Sequence, residues 1–292
     1  MSSTETISIV LASDNHYAVM IAALIKSIEI HHKSNELLLF LIIDDGISNK
    51  NKIKIQNSVD LKTTTLQWIK SEDILSKEIK LPTDRSTFPF TAYFRLYAPY
   101  IAAPDCKKLI YMDVDMIVYD DISNLYNVDI GDNVVGAVQD YMLIAKHGIP
   151  NYKELNISSE TKYFNSGLLL INPKKWIELN IINYVIDCLI INKKHVIYPD
   201  QYGLNIVLQD RWHELDRIWN CSPLFDFPPN PSIVHFLDIK PIFKSCFAQE
   251  KYKEEFFRLL SLTAFNAFKP ISDYQRLFKK AFTKAKKILN NK

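Results

Sequence analysis
The sequence predicts an α/β protein built on a parallel sheet. Short apolar runs of strand length alternate with amphipathic stretches of helical period. Polar turns rich in Asp and Asn separate them. The chain has six glycines, and none fall in a G-x-G-x-x-G or Walker pattern, which excludes an ordinary dinucleotide or P-loop site.

Residues 7–12 (Ile-Ser-Ile-Val-Leu-Ala) form the first buried run, ended by Ser13-Asp14-Asn15-His16-Tyr17. From 17 to 31, Met20, Ala23, Leu24 and Ile28 recur at helical spacing, with Lys26 and Glu29 on the other side. A second strand over 37–43 runs into Asp44-Asp45-Gly46, and Ser48 can cap a helix reaching about 59. A third strand covers 64–69. Residues 91–98 read as a helix with Pro99 near its end. Arg95 sits there among apolar and aromatic neighbours. An isolated buried guanidinium is expensive, so Arg95 is either ion-paired internally or aimed at an anion.

Residues 109–118 (Leu-Ile-Tyr-Met-Asp-Val-Asp-Met-Ile-Val) read as an apolar strand with two carboxylates near its middle. Asp113 and Asp115 are two apart, so on an extended strand they share a face. Two ionised carboxylates in apolar surroundings repel each other and lose hydration, and a divalent cation compensates both costs. The plainer alternative is a strand end where both face water or cap a turn. The apolar residues on both sides weigh against it.

Another apolar strand, 134–138, ends in Gln139-Asp140. Tyr163-Phe164-Asn165-Ser166-Gly167 reads as a polar turn feeding a buried strand at 168–172, with Asn165 a turn residue and Pro173 the stop. One helix is expected over 176–193, with Trp176, Ile177, Ile181, Val185 and Leu189 in the core. Tyr198-Pro199-Asp200-Gln201 opens a further helix that Asp200 can cap, and 212–215 resembles a short edge strand. Pro223, Pro228, Pro229 and Pro231 mark a long irregular loop, a common setting for binding. His235 lies in the apolar segment 233–237. A lone His there is usually a core residue, although neutral imidazole also suits a metal held by carboxylates. In open α/β sheets ligands bind beyond the carboxyl ends of strands, where Asp14, Asp44, Asp45 and the Asp113/Asp115 pair fall. Asp14 serves equally as an acceptor for a base or ribose and as a helix cap.

The 292 residues suffice for one large α/β domain or two modest ones. Hydrophobic residues at 48% and charged residues at 23% are ordinary for a protein with a real core. The net charge of +2 is unevenly spread: residues 269–292 carry +7 and the remainder −5. Tyr274, Leu277, Phe278, Ala281, Phe282, Ala285, Ile288 and Leu289 lie at helical spacing in that tail, with lysines between. The pattern fits an amphipathic helix on an anionic bilayer surface, or a packed terminal helix with a solvated lysine face. It does not make the whole protein a nucleic-acid binder. Four widely spaced cysteines fit buried thiols in a reducing compartment. No signal peptide or spanning segment is visible, so a cytoplasmic location is expected, with peripheral attachment to the inner face of the membrane through the tail.

Taken in order, these pieces resemble the family 8 retaining glycosyltransferases over roughly residues 7–245. The likeness is closest to bacterial lipopolysaccharide or lipooligosaccharide α-galactosyl- and glucosyltransferases. The segments that carry it are Ile9-Val10-Leu11-Ala12-Ser13-Asp14, Tyr93-Phe94-Arg95, 109–115, 163–167, Tyr198-Pro199-Asp200-Gln201 and His235 through Lys240-Pro241. The resemblance implies a GT-A fold: a mixed, mostly parallel central sheet flanked by helices, here residues 1–268, followed by the basic helical tail 269–292. It implies transfer of galactose or glucose from a UDP-sugar to a saccharide or lipid-linked saccharide acceptor, with retention and with Mn²⁺ (or Mg²⁺) as cofactor.

Carried over residue by residue, Asp113, Asp115 and His235 would bind the metal. Ala12, Asp14 and His16 would meet the uridine. Arg95, Asp113, Asp140, Asn165, Asp200 and Gln201 would surround the hexose. Val114 joins Asp115 in the donor-binding set, and Lys240 would contact the phosphates. Arg95, Asp200 and Gln201 are the catalytic candidates: Asp200 as the carboxylate for a double displacement, and Gln201 as an amide stabilising positive charge on the sugar. Front-face attack, the preferred route, needs no protein nucleophile. The chain departs from the family in having Asp238 where a glycine usually follows His-Phe-x, and Ile242 where Lys-Pro is usually followed by Trp. The alternatives are a self-glycosylating protein of the glycogenin type, a non-catalytic scaffold of the same fold, and a metal-dependent phosphohydrolase.

Overall fold
β1 (Thr6–Asp14) and β2 (Leu37–Asp45) pair in parallel along their whole length in the computed structural model, which describes residues 5–74, 90–224 and 229–275. α1 (Ala18–His31) makes the crossover, and the expected core residues Met20, Ala23, Leu24 and Ile28 are all buried. Ser48 caps α2 (Asn49–Gln56) by accepting a hydrogen bond from the Asn51 amide. β3 (Thr64–Lys70) adds a third parallel strand, and a short turn of helix, α3 (Ser71–Ile74), follows. A 3-10 helix, Phe90–Tyr100, then leads to β4 (Leu109–Met112), which joins β1 in parallel.

β5 (Met116–Val118) and α4 (Ile122–Tyr126) come next, then β6 (Val135–Ile144), α5 (Ala145–Gly148) and β7 (Lys162–Ile171). α6 (Pro173–Glu178), α7 (Ile181–Ile191) and α8 (Pro199–Val207) precede the short β8 (Trp212–Glu214). The strand β9 (Ile233–His235) and α9 (Glu250–Ser261) complete the described elements. The main sheet has the order β3-β2-β1-β4-β7-β6-β8, and β5 pairs with β9 in a separate two-stranded sheet. Of the seven described strands in the main sheet, only β7 runs against the others. The sheet is therefore mixed and mostly parallel.

Strand alternation builds a core on each face. Ile7, Ile9 and Leu11 of β1, with Leu38, Phe40 and Ile42 of β2, pack with α1. Val10, Ala12, Leu41 and Ile43 face the layer of Phe94, Leu96, Val185, Leu189 and Leu204. Both faces of the sheet are covered, which is why these strands read as nearly continuous apolar runs.

Several local expectations are corrected. The 109–118 run is not one strand: it breaks at Asp113-Val114-Asp115, with β4 in the main sheet and β5 in the small one. Asn165 is not in a turn but within β7. The expected 176–193 helix is two helices, because Asn180 adopts a left-handed φ of 51° between α6 and α7, and Ile177 is exposed rather than in the core. The 91–98 helix is 3-10 in form. Residues 225–228 of the proline-rich loop and 276–292 of the basic tail lie outside the described residues, so those expectations do too. The four cysteines are free thiols. Among the described residues, no helix is long and apolar enough to cross a membrane.

Candidate active site
The reversed direction of β7 assembles the site. β4 ends at Met112, opposite Leu168 of β7, so the first half of β7 reaches the edge where the other strands end. Asn165, Ser166 and Gly167 thereby come beside Asp113, whose amide donates to the Gly167 carbonyl at 2.8 Å. The chain then crosses through Asp115 into β5, whose Met116 pairs with His235 of β9. That pairing carries His235 to the two carboxylates.

Asp113 Oδ2, Asp115 Oδ1 and His235 Nε2 face one another. His235 Nε2 lies 3.2 Å from Asp115 Oδ1 and 3.9 Å from Asp113 Oδ2. Among the described residues, these three form the only group of His, Cys, Asp or Glu side chains close enough to hold a metal ion. The remaining carboxylate oxygens have cationic partners. Arg95 Nη2 donates to Asp113 Oδ1 at 3.0 Å, the Tyr111 hydroxyl donates to the same oxygen at 3.1 Å, and Lys240 Nζ lies 2.5 Å from Asp115 Oδ2. Asp115 Oδ1 is buried and accepts no hydrogen bond. His235 is close enough for charge attraction but outside hydrogen-bonding geometry. A buried carboxylate oxygen left without a partner is costly, and an oxygen-binding cation between these atoms would satisfy it.

Arg95 is the second hub. It is buried and spans Asp113 and Asp200, with its Nε 2.8 Å from Asp200 Oδ2. It also donates to the Ser166 carbonyl and hydroxyl and to the Ala92 carbonyl. Of the two sequence readings of this residue, internal ion-pairing is the one observed, and its partners are site carboxylates. Ser166 Oγ donates to Asp200 Oδ2 at 2.8 Å, and the Ser166 amide donates to Gln201 Oε1 at 3.1 Å. Gln201 Nε2 donates to Asp140 Oδ2 at 3.2 Å, and Asn165 Nδ2 donates to the same oxygen at 2.8 Å. Asn220 bridges Asn165 and His235, at 3.0 Å to each. Side chains from seven stretches of the chain thus form one connected polar ring.

Charge is asymmetric within it. Burial pushes Asp113 up, Arg95 only partly offsets this, and Asp115 adds repulsion, so its pKa stays above the usual carboxylate value. Burial also acts on Asp115, but Lys240 and His235 outweigh it and hold that carboxyl well below the usual range. Burial works against the charged form of Arg95, yet Asp113 and Asp200 keep it firmly cationic. Four carboxylates (Asp113, Asp115, Asp140, Asp200) meet two cationic side chains (Arg95, Lys240). The formal excess of negative charge matches one divalent cation.

The other expected residues fall on the end of β1, in the turn after it and in the Asp113–Asp115 segment. Ala12 is buried near the end of β1, and Val114 is buried between the two aspartates. Asp14 ends β1 and accepts from the amides of His16 and Tyr17 at 2.8 and 3.1 Å, stabilising the turn into α1. The N-cap position itself is Tyr17. The His16 ring packs at 4.8 Å from Tyr17 and 5.5 Å from Phe243. Asp238 is exposed and has no positive φ, so the backbone there does not require glycine. Ser166, Tyr111 and Asn220 have site contacts that no sequence pattern indicated. Asn220 is set beside His235 by the bridge between Cys221 and Val234, a contact with no local signal.

Comparisons with known proteins bear on the family and the fold. The family described as glycosyl transferase family 8 matches residues 8–242. General stress protein A of Bacillus subtilis (strain 168) is 28% identical over 291 residues, covering 91% of this chain and 97% of that protein. Glycosyltransferase GlyF of Streptococcus pneumoniae is 27% identical over 242 residues, and the match covers 78% of this chain but only 55% of GlyF. Among solved structures, the galactosyltransferase LgtC in complex with donor and acceptor sugar analogs superposes with a TM-score of 0.74 at 25% identity, covering 92% of this chain and 99% of that one.

Proposed function
The chain belongs to glycosyltransferase family 8, and from this premise we propose that it is a retaining hexosyltransferase that moves galactose or glucose from a UDP-sugar to a saccharide acceptor. A nucleotide-sugar donor and a saccharide acceptor follow from family membership, and the fold is GT-A-like. Asp113, Asp115 and His235 are the proposed ligands of a divalent cation, Mn²⁺ first. The observation that carries the proposal is the buried, unpartnered Asp115 Oδ1 facing His235 Nε2 and Asp113 Oδ2. Bound there, the cation would act as a Lewis acid toward the negative charge of the leaving diphosphate.

Arg95 and Lys240 bring fixed positive charge to the same place, where low dielectric strengthens its effect. Asp140, Asn165 and Gln201 line the hexose side of the ring. Asp200 is already ion-paired to Arg95 and accepts the Ser166 hydroxyl, which lowers its value as a nucleophile. This favours front-face attack. The acceptor oxygen bonds to the anomeric carbon as the bond to the diphosphate breaks, and the acceptor proton passes to the leaving phosphate oxygen. Ala12, Asp14 and His16 are proposed to meet the uridine.

The test is a panel of UDP-sugars with Mn²⁺, read by UDP release with and without lipopolysaccharide acceptor. The expected result is acceptor-stimulated release with UDP-galactose or UDP-glucose and a new glycoside as product. Free phosphate as the product, or no turnover with any UDP-hexose, would refute it. The basic segment 269–292 is proposed to hold the enzyme at an anionic membrane surface, where a lipid-linked acceptor would lie. Truncation after Phe268 should remove binding to anionic liposomes, and unchanged binding would end that proposal.

A further inference from the structure
The polar ring has a directional order that reaches the metal-facing nitrogen of His235. The Gly167 amide donates to Asn165 Oδ1 at 2.9 Å, and a backbone N–H can only donate. Asn165 therefore turns Nδ2 toward Asp140, an acceptor-only carboxylate 2.8 Å away. Asn165 Oδ1 also accepts from Asn220 at 3.0 Å, so Asn220 presents Nδ2 on that side. Its Oδ1 must then face His235 Nδ1, at 3.0 Å. An amide oxygen only accepts, so the proton of a neutral His235 ring sits on Nδ1. The lone pair sits on Nε2 and faces Asp115 and Asp113.

We propose that Asn220 is a positioning residue, which holds His235 in the Nδ1–H tautomer and so keeps Nε2 open as a metal ligand. The opposite tautomer would point a proton at Asp115 Oδ1 and leave the site one ligand short. The partner that fixes a ligating imidazole's tautomer typically changes metal affinity 10–100-fold when lost. Asn220 lies outside the proposed ligand set. Its chain of amides runs from His235 through Asn165 to Asp140, which also accepts from Gln201 at 3.2 Å. Metal side and sugar side are therefore braced by the same hydrogen bonds.

This inference rests on the proposed metal site, and two readouts test it without an activity assay. The first is ¹⁵N NMR of histidine-labelled, metal-free native protein, with the His235 signals assigned by their loss in His235→Gln. A protonated Nδ1 and a pyridine-like Nε2 are expected, and a proton on Nε2 would overturn the proposal. The second is Mn²⁺ titration followed by electron paramagnetic resonance. Asn220→Ala should weaken Mn²⁺ binding about 10–100-fold. Equal affinity of native and Asn220→Ala proteins would overturn the inference while leaving the metal site standing. Failure of the native chain to bind Mn²⁺ would remove the metal site and this role together.

Discussion

Replacing Asp115 by Asn lowers metal-dependent transfer by at least about 10³-fold while leaving the fold intact. The residue sits at the junction of the two sheets, and its side-chain shape survives the change. What disappears is the charge that draws a cation to Oδ1, the buried oxygen that accepts no hydrogen bond in the native site. Lys240 loses its carboxylate partner but keeps the Phe236 carbonyl, so the segment after β9 remains tethered. Lewis-acid stabilisation is worth several kcal/mol, and each 1.4 kcal/mol or so is a factor of ten in rate, which gives the expected size. Circular dichroism and a thermal transition close to native would show that the loss is chemical. Transfer within tenfold of native would sink the assignment.

Gly167→Ala is expected to damage the same site from the other side. A Cβ at this position would lie 2.5 Å from His235 Cε1, 2.8 Å from Asp113 Oδ2 and 3.0 Å from Asn165 Oδ1. The backbone cannot retreat easily, because the Gly167 carbonyl accepts from the Asp113 amide and Leu168 is in register with Met112. The side chains must yield, and all three belong to the candidate site. Overpacking of this kind typically costs about 1–3 kcal/mol of stability. Displacing two of the three proposed ligands, together with the Asn165 amide beside them, should lower Mn²⁺ affinity at least about 10–100-fold, with a matching fall in kcat/KM. Gly46 supplies the contrast. It has φ +84° and nothing within 4 Å of an added Cβ, so Gly46→Ala should strain the backbone without changing metal affinity. A Gly167→Ala protein with native affinity would show that the cluster is looser than its contacts indicate.

Much of this architecture was legible in the chain. The apolar runs of β1, β2 and β3, the Ser48 cap and the buried face of α1 follow from local periodicity and capping chemistry. The Asp113/Asp115 pair stood out because carboxylates are rare between apolar runs. Reading it as one strand failed because the same apolar pattern serves two sheets, and only pairing partners distinguish them. Asn165 and Gly167 look like a turn in isolation. Their place in β7 is imposed by β4 and β6 on either side, which no local signal reports. His235 was visible only as a histidine in an apolar strand until the family resemblance singled it out. Ser166 and Asn220 escaped for a related reason: their value lies in partners tens of residues away, brought together by the reversed strand and the small sheet.

The family implied a role for Lys240 at phosphate, and the structure sets its amine on Asp115. The two placements are compatible if the amine bridges the carboxylate and an incoming anion, a contact open to the half-buried side chain. Asp238 is exposed, and its backbone has no positive φ that would call for glycine.

The central claim is that Asp113, Asp115 and His235 form a divalent-cation site, and calorimetric titration of the metal-free native protein with Mn²⁺, with and without UDP, addresses it most directly. One ion per chain is expected, bound more tightly when UDP is present, with the binding lost in Asp115→Asn. Native protein that takes up no Mn²⁺, or an Asp115→Asn protein that binds it as tightly as native, would contradict the claim.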